Sequence, residues 1–259
     1  MEDSSLRRIA LVTLVLLLTM VMYAGKQQAD VTPLAQWQAG TTVSDAAVKA
    51  WGGLDKCFAA EPVPDAVWQR MQGKTYKPNP HIRRSDLRHV RVLHWDYDEQ
   101  THIGEMICHK RISDIVVRIF RQLYDARYPI QSMVLPEVFD TESPDVGDGT
   151  LGMDERQMRH NNTSCFFYRP IAGSKQLSKH SKGLAIDINP RYNPYYRQRA
   201  DGTNYIQPAT SAAYCDRTRP FPYKIVRHDL CYRLFTEAGF VWGGSWTSCK
   251  DYQHFEWKE

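Results

Sequence analysis

The chain has 259 residues, 42% of them hydrophobic and 24% charged, with Lys and Arg outnumbering Asp and Glu to give a formal net charge of +4. These proportions are those of a folded protein and exclude disorder as its general state. The basic excess is small and scattered; Arg83-Arg84 with Arg88 and Arg91 is locally basic but is read as a solvated face, so no nucleic acid is expected as a partner.

Residues 9–24 form an uncharged apolar run directly behind Arg7 and Arg8. That layout, taken with its flanks as residues 1–25, is a signal peptide or an N-terminal signal anchor, and export across a membrane follows either way. The run is short for a span, which needs about 20 apolar residues. Ala24 suits the end of a cleavage site and Met22 does not, so cleavage and retention both stay open. Six cysteines (Cys57, Cys108, Cys165, Cys215, Cys231 and Cys249) make an even number in an exported chain, which permits disulfides. No CxxC pair occurs, so structural thiols or bridges are expected rather than a cysteine metal knuckle.

Residues 26–56 are mixed and polar, as in a linker or loosely packed arm, and the folded unit is expected over 57–259. Between Pro62-Pro64 and Pro78-Pro80, Val67 to Met71 predicts a short helix closed by Gly73. Val90 to Trp95 predicts a strand. Ile112, Ile115, Val116, Ile119, Phe120 and Leu123 fall at helical spacing and predict an amphipathic core helix. Met133-Val134-Leu135 predicts a strand and 141–150 a loop. The stretch 191–222, rich in Pro, Asn, Tyr and Arg, is a long irregular insertion, and one use for it is to wall a substrate groove; Tyr192, Tyr195, Tyr196, Trp242 and Trp246 are candidates to line that groove. A helix over Asp229 to Ala238, ended by Gly239, leads to strands at Phe240-Val241-Trp242 and His254-Phe255-Glu256-Trp257. Helices and short strands mixed in this way predict a single α+β domain.

The chemistry concentrates in two places. Ser181-Lys182-Gly183 forms a tight turn into Leu184 to Ile188, an alternating strand that turns Leu184, Ile186 and Ile188 to one side and Asp187 to the other. Gly183 permits the chain to fold back so that His180 and Asp187 reach a common point. In the last strand His254 and Glu256 share a face, and Asp251 stands at the turn before it. Catalytic zinc takes three protein ligands and keeps one position for water; His180, Asp187 and His254 are the candidate ligands for Zn2+, with Asp251 as the general base. A nearby cation depresses a carboxyl pKa, so Asp251 is expected ionised near neutral pH. Among the other histidines only His228 is a candidate, as a supporting or substrate-side group; His102, His109 and His160 are read as structural.

The SxHxxGxAxD run from Ser178 to Asp187, followed by DxxH from Asp251 to His254, resembles the bacterial zinc peptidases that cut cell-wall stem peptides. These are the D-Ala-D-Ala carboxypeptidase and L-Ala-D-Glu endopeptidase family with the hedgehog/DD-peptidase fold, and the chain is most similar to the endopeptidase-like branch. The resemblance extends over roughly residues 57–257, through Trp68 to Lys74, Asn161 to Ser164, Phe167 to Ile171, Asp187 to Pro190 with Asn193-Pro194-Tyr195, and Gly239 to Trp246. It implies a small antiparallel sheet carrying the zinc site, flanked by helices. It implies hydrolysis of stem-peptide bonds in peptidoglycan, in the periplasm or cell envelope, with attachment to the inner membrane through residues 9–24 if that segment is retained. Arg169 matches the arginine that holds substrate or its developing oxyanion, and Ser178 the serine that contacts substrate backbone; a turn-forming hydroxyl is the rival reading of Ser178. Some relatives carry Glu where this chain has Asp251. The rival function is a cell-envelope binding module that keeps the metal without hydrolysis, and Asp251 speaks against it. Whether the cut is terminal or internal stays open.

Overall fold

A computed structural model describes residues 37–140, 152–171 and 174–258. The export segment at 9–24 and the loop expected at 141–150 lie outside those residues. Among the described residues no helix is long and apolar enough to cross a membrane. Nine strands among the described residues form three antiparallel three-stranded sheets with helices packed against them, the mixed α+β architecture expected.

The described part of the stretch read as a linker is packed rather than loose. Helix α1 (Asp45–Ala50) starts at Ser44, whose side chain accepts from Ala47 N, and Val48 is buried with Leu93 and Ile103. Gly40 N and Val43 N donate to Ile103 O and Thr101 O, so the segment lies along a sheet edge and packing begins upstream of Cys57. Trp37 and Trp51, in contact at 4.8 Å, supply apolar surface that a polar average over the segment conceals.

The first sheet has the order β1 (Ala59–Pro62), β2 (Leu87–Trp95), β3 (Thr101–His109), with helix α2 (Asp65–Met71) between β1 and β2. β2 and β3 pair in register from Leu87↔His109 to Trp95↔Thr101. Val90, Val92, Met106 and Cys108 therefore share one face, and helix α3 (Ser113–Asp125) covers it with Val116, Ile119, Phe120 and Leu123, all buried. Met133-Val134-Leu135 is not a strand, in contrast to the sequence reading. The side-chain amide of Asn162 occupies both backbone groups of Val134, accepting from its N at 2.9 Å and donating to its O at 2.9 Å, so no partner strand is needed there.

After helix α4 (Met153–Arg159), the chain forms β4 (Ala185–Asp187), then β5 (Tyr195–Gln198), β6 (Asn204–Gln207), helix α5 (Leu230–Glu237), β7 (Phe240–Trp242), β8 (Lys250–Asp251) and β9 (His254–Trp257). The insertion at 191–222 is thus ordered, with a β5–β6 hairpin and a 3-10 turn at Ala209–Tyr214. Its strands are polar and short, which hides their period. The second sheet runs β4-β9-β7 and the third β6-β5-β8. In the second sheet Ile186, Phe255 and Trp242 are cross-strand neighbours on the buried face, and Phe235 of α5 stacks on Phe255 at 4.5 Å. All six cysteines are free thiols.

Gly183 joins the two halves of the metal-binding motif. It adopts φ +65°, and a Cβ there would stand 2.7 Å from His109 N, which donates to Gly183 O. Gly183→Ala is expected to lower stability by about 2–3 kcal/mol, from left-handed strain and the forced retreat of β3; denaturant unfolding with an unchanged midpoint would contradict this account.

Candidate metal centre

His180 sits in a 3-10 turn, Lys179–Lys182, and the neighbouring chain fixes its ring. Ser178 Oγ accepts from His180 N at 3.3 Å, and Ser181 Oγ accepts from Arg169 N and donates to Arg169 O. The imidazole Nδ1 donates to Cys165 O at 2.6 Å, which leaves the Nε2 lone pair facing inward. Nε2 stands 3.3 Å from Asp187 Oδ2 and 3.2 Å from His254 Nδ1.

Asp187 and His254 are direct cross-strand partners in the β4–β9 ladder. The alternation that buries Ile186 and Phe255 on one face turns these two polar residues to the other. His254 Nδ1 lies 3.0 Å from Asp187 Oδ1, and its Nε2 is oriented by Glu256 Oε2 at 3.4 Å. The three donor atoms lie within 4.8 Å of one another and all three residues are buried.

This constellation demands a cation. Burial alone would lower the His254 pKa, but the carboxylates of Asp187 and Glu256 and the charge of Asp251 outweigh it and push the ring up to about 10. Burial would raise Asp187, yet His180 and His254 hold it well below the usual carboxylate range. In the absence of metal a proton supplies the positive charge. Two imidazole lone pairs and one carboxylate, separated by 3.0–3.3 Å, match neighbouring ligands on an ion with bonds of about 2.0–2.2 Å, so the residues present can hold a metal ion.

Asp251 lies on β8 opposite Tyr195 and lines the same cavity, about 500 Å³ in volume. Its Oδ1 is buried and, among the described residues, has no hydrogen-bond partner. Burial, with Asp187 nearby, pushes its pKa up to about 7 against the lowering influence of His254 and Arg169. Without a cation in the site desolvation, which a sequence does not display, is the larger effect on Asp251; the ionisation that the sequence reading expects depends on the charge of a bound metal. Gly243 makes this placement possible. A Cβ at that position would come within 2.7 Å of Asp251 O and 2.8 Å of Asp251 Cβ.

Arg169 lines the cavity and pairs with Asp154, its Nε 2.6 Å from Asp154 Oδ2; the contact is an ion pair by distance, and the buried Nε–H is not aligned there as a hydrogen bond. Asp154 Oδ1 accepts from Gln157 Nε2, so the anchor is itself held on α4. Sequence reasoning missed Asp154, which lies in no motif and meets Arg169 only through the fold, and missed the roles of Glu256 and the Cys165 carbonyl. Ser178 lines the cavity, but its hydroxyl is occupied in capping the His180 turn. Of the five aromatics considered for the groove, Tyr195 and Trp246 line the cavity. Tyr192 packs instead with Tyr97, Tyr214 and Tyr223, and Trp242 with Phe255 and Tyr232. His228 packs near Tyr232 and does not line this cavity.

Residues 172–257 match the family model described as D-alanyl-D-alanine carboxypeptidase. This is the family that the two motifs resemble, and the matched stretch contains His180, Asp187, Asp251 and His254, with Arg169 just ahead of it. No curated protein and no solved structure matches the chain. The family match supports a peptidase, and the buried His-Asp-His cluster gives that peptidase a candidate metal centre.

Competition against a chromophoric chelator is expected to show one tightly bound divalent ion per chain, lost in His180→Ala. Glu256→Gln, which weakens the orientation of His254, is expected to lower metal affinity about 10-fold or more. Equal affinity in both variants and the wild type would place the ion elsewhere.

Proposed function

We propose that the chain is a zinc peptidase that hydrolyses peptide bonds in peptidoglycan stem peptides outside the cytoplasm. The observation that carries this reading is the buried carboxylate of Asp251, without a hydrogen-bond partner at Oδ1 among the described residues, in the same cavity as three converging metal donors and the Arg169 guanidinium. A module that only bound metal or cell wall would have no use for that carboxylate, whose burial is costly. The donor set suits zinc, the family match supplies the peptidase class, and the apolar run at 9–24 supports export to the periplasm or cell envelope.

His180 would hold the ion through Nε2, His254 through Nδ1 and Asp187 through its carboxylate, because Cys165 O and Glu256 occupy the opposite edges of the two rings. Zinc, when bound, supplies Lewis acidity to the scissile carbonyl and acidifies water toward neutrality. Asp251 takes a proton from the attacking water and returns it to the leaving amine nitrogen, so the peptide bond opens without a covalent intermediate. Arg169 donates to the carbonyl oxygen as negative charge grows on it. Its contact with Asp154 keeps the guanidinium in place before substrate arrives, so no reorientation is needed in the reaction.

Digestion of purified muropeptides by the full chain, with and without chelator, followed by mass identification, tests the reading. Loss of terminal D-Ala identifies a carboxypeptidase; cleavage after L-Ala identifies the endopeptidase; no product with zinc present rejects both. Asp251→Asn is expected to lower turnover by about 10²–10⁴ while metal content is unchanged.

Asp251 must be ionised to accept the proton, so activity falls as pH drops through its pKa. That pKa is about 7 without metal and a bound cation lowers it, so kcat/KM is expected to show an acid limb with its midpoint below about 7. Asp251→Glu should move that limb. A limb unaffected by this substitution would assign the proton transfer to another group.

A further inference from the structure

The β5–β6 hairpin turns one face toward the metal-centre cavity. Tyr195 and Arg197 share that face of β5, and their partners on β6 are Gln207 and Tyr205. Tyr195, Arg197 and Gln207 line the cavity. Because Tyr195 lies opposite Asp251 in β8, Arg197 begins about 7 Å further along an extended strand, a span of roughly two substrate residues.

Arg197 is exposed, and its guanidinium is steadied over the Tyr205 ring at 6.0 Å, with Arg199 over the same ring at 5.0 Å. Among the described residues neither arginine has a carboxylate within ion-pair distance. The cavity's other cations are differently placed. Arg169 is bound to Asp154, and Lys179 and Lys182 are already engaged. Two arginines over one tyrosine ring, beside the metal-centre cavity and with Glu155 as the nearby counter-charge, form a positive edge whose guanidiniums are not ion-paired among the described residues. A guanidinium presents a planar fork that matches a carboxylate.

We propose that Arg197 is a specificity-determining residue that receives a free carboxylate of the substrate one or two residues from the scissile bond, with Arg199 adding to the local positive potential. The assignment rests on the peptidase reading only for what carries the carboxylate. That group is either the C-terminus of the peptide or the side group of an acidic residue within it.

The test is calorimetric binding of a synthetic stem pentapeptide to the zinc-loaded full chain, with Asp251→Asn present to keep the peptide intact. Two analogues are compared with it, one amidated at the C-terminus and one with its glutamate replaced by glutamine. Loss of the recognised carboxylate is expected to weaken binding about 10-fold or more, and the analogue that shows the loss identifies the source. Arg197→Gln should weaken binding of the free acid by a similar factor and bring the acid-to-amide ratio close to one, with Arg197→Lys restoring part of it. An undiminished preference for the acid in Arg197→Gln overturns the assignment, as does equal binding of acid and both analogues by the chain carrying Arg197. Carboxylate-dependent binding that Arg197→Gln removes, together with no hydrolysis by the chain carrying Asp251, would reject the peptidase reading and leave Arg197 in its role.

Discussion

The pairing of Asp187 with His254 across the β4–β9 ladder is the constraint on which the rest of the site depends. A strand has a side-chain period of two, so one register decides both which apolar residues enter the core and which polar residues face the cavity. Ile186 and Phe255 are buried with Phe235, and this burial fixes the register that sets Asp187 against His254. A slip of one residue would expose the aromatic packing and separate the donors together. Core stability and metal-site geometry are therefore one requirement.

Electrostatics is then settled by burial. Asp187, Asp251 and the partly buried Glu256 converge around two imidazoles, and each carboxylate removed from water strengthens the demand for positive charge. The surrounding groups give the two rings opposite polarity. Cys165 O accepts the His180 proton at Nδ1, and Glu256 faces Nε2 of His254, so the remaining nitrogens point at each other and at Asp187. Arg169, anchored by Asp154, adds a fixed cation at the rim of the cavity, and Arg197 adds an exposed one.

Much of this was legible in the residues. The helix over 113–125 follows from six apolar positions at helical spacing, and the helix at 230–237 from Asp229, which caps it through Tyr232 N. His180, Asp187 and His254 were legible because glycine and strand alternation constrain where their side chains point, and Asp251 because it stands in the DxxH run at the turn before the last strand. The strand expected at 133–135 failed because Asn162, distant in sequence, satisfies the backbone of Val134. The arm at 37–56 and the hairpin in the insertion were missed because their contacts are with remote strands and their own composition is polar.

By itself the sequence determined the donor types, their spacing and the export-like run at the N-terminus, since these depend on side-chain chemistry and local periodicity. Only the tertiary structure decided that Asp154 pairs with Arg169, that Glu256 and Cys165 orient the two imidazoles, that burial lifts Asp251 to about 7, and that Arg197 lines the cavity without a carboxylate partner among the described residues. Each of these depends on desolvation or on contact between segments far apart in the chain, and neither quantity exists until the chain has folded.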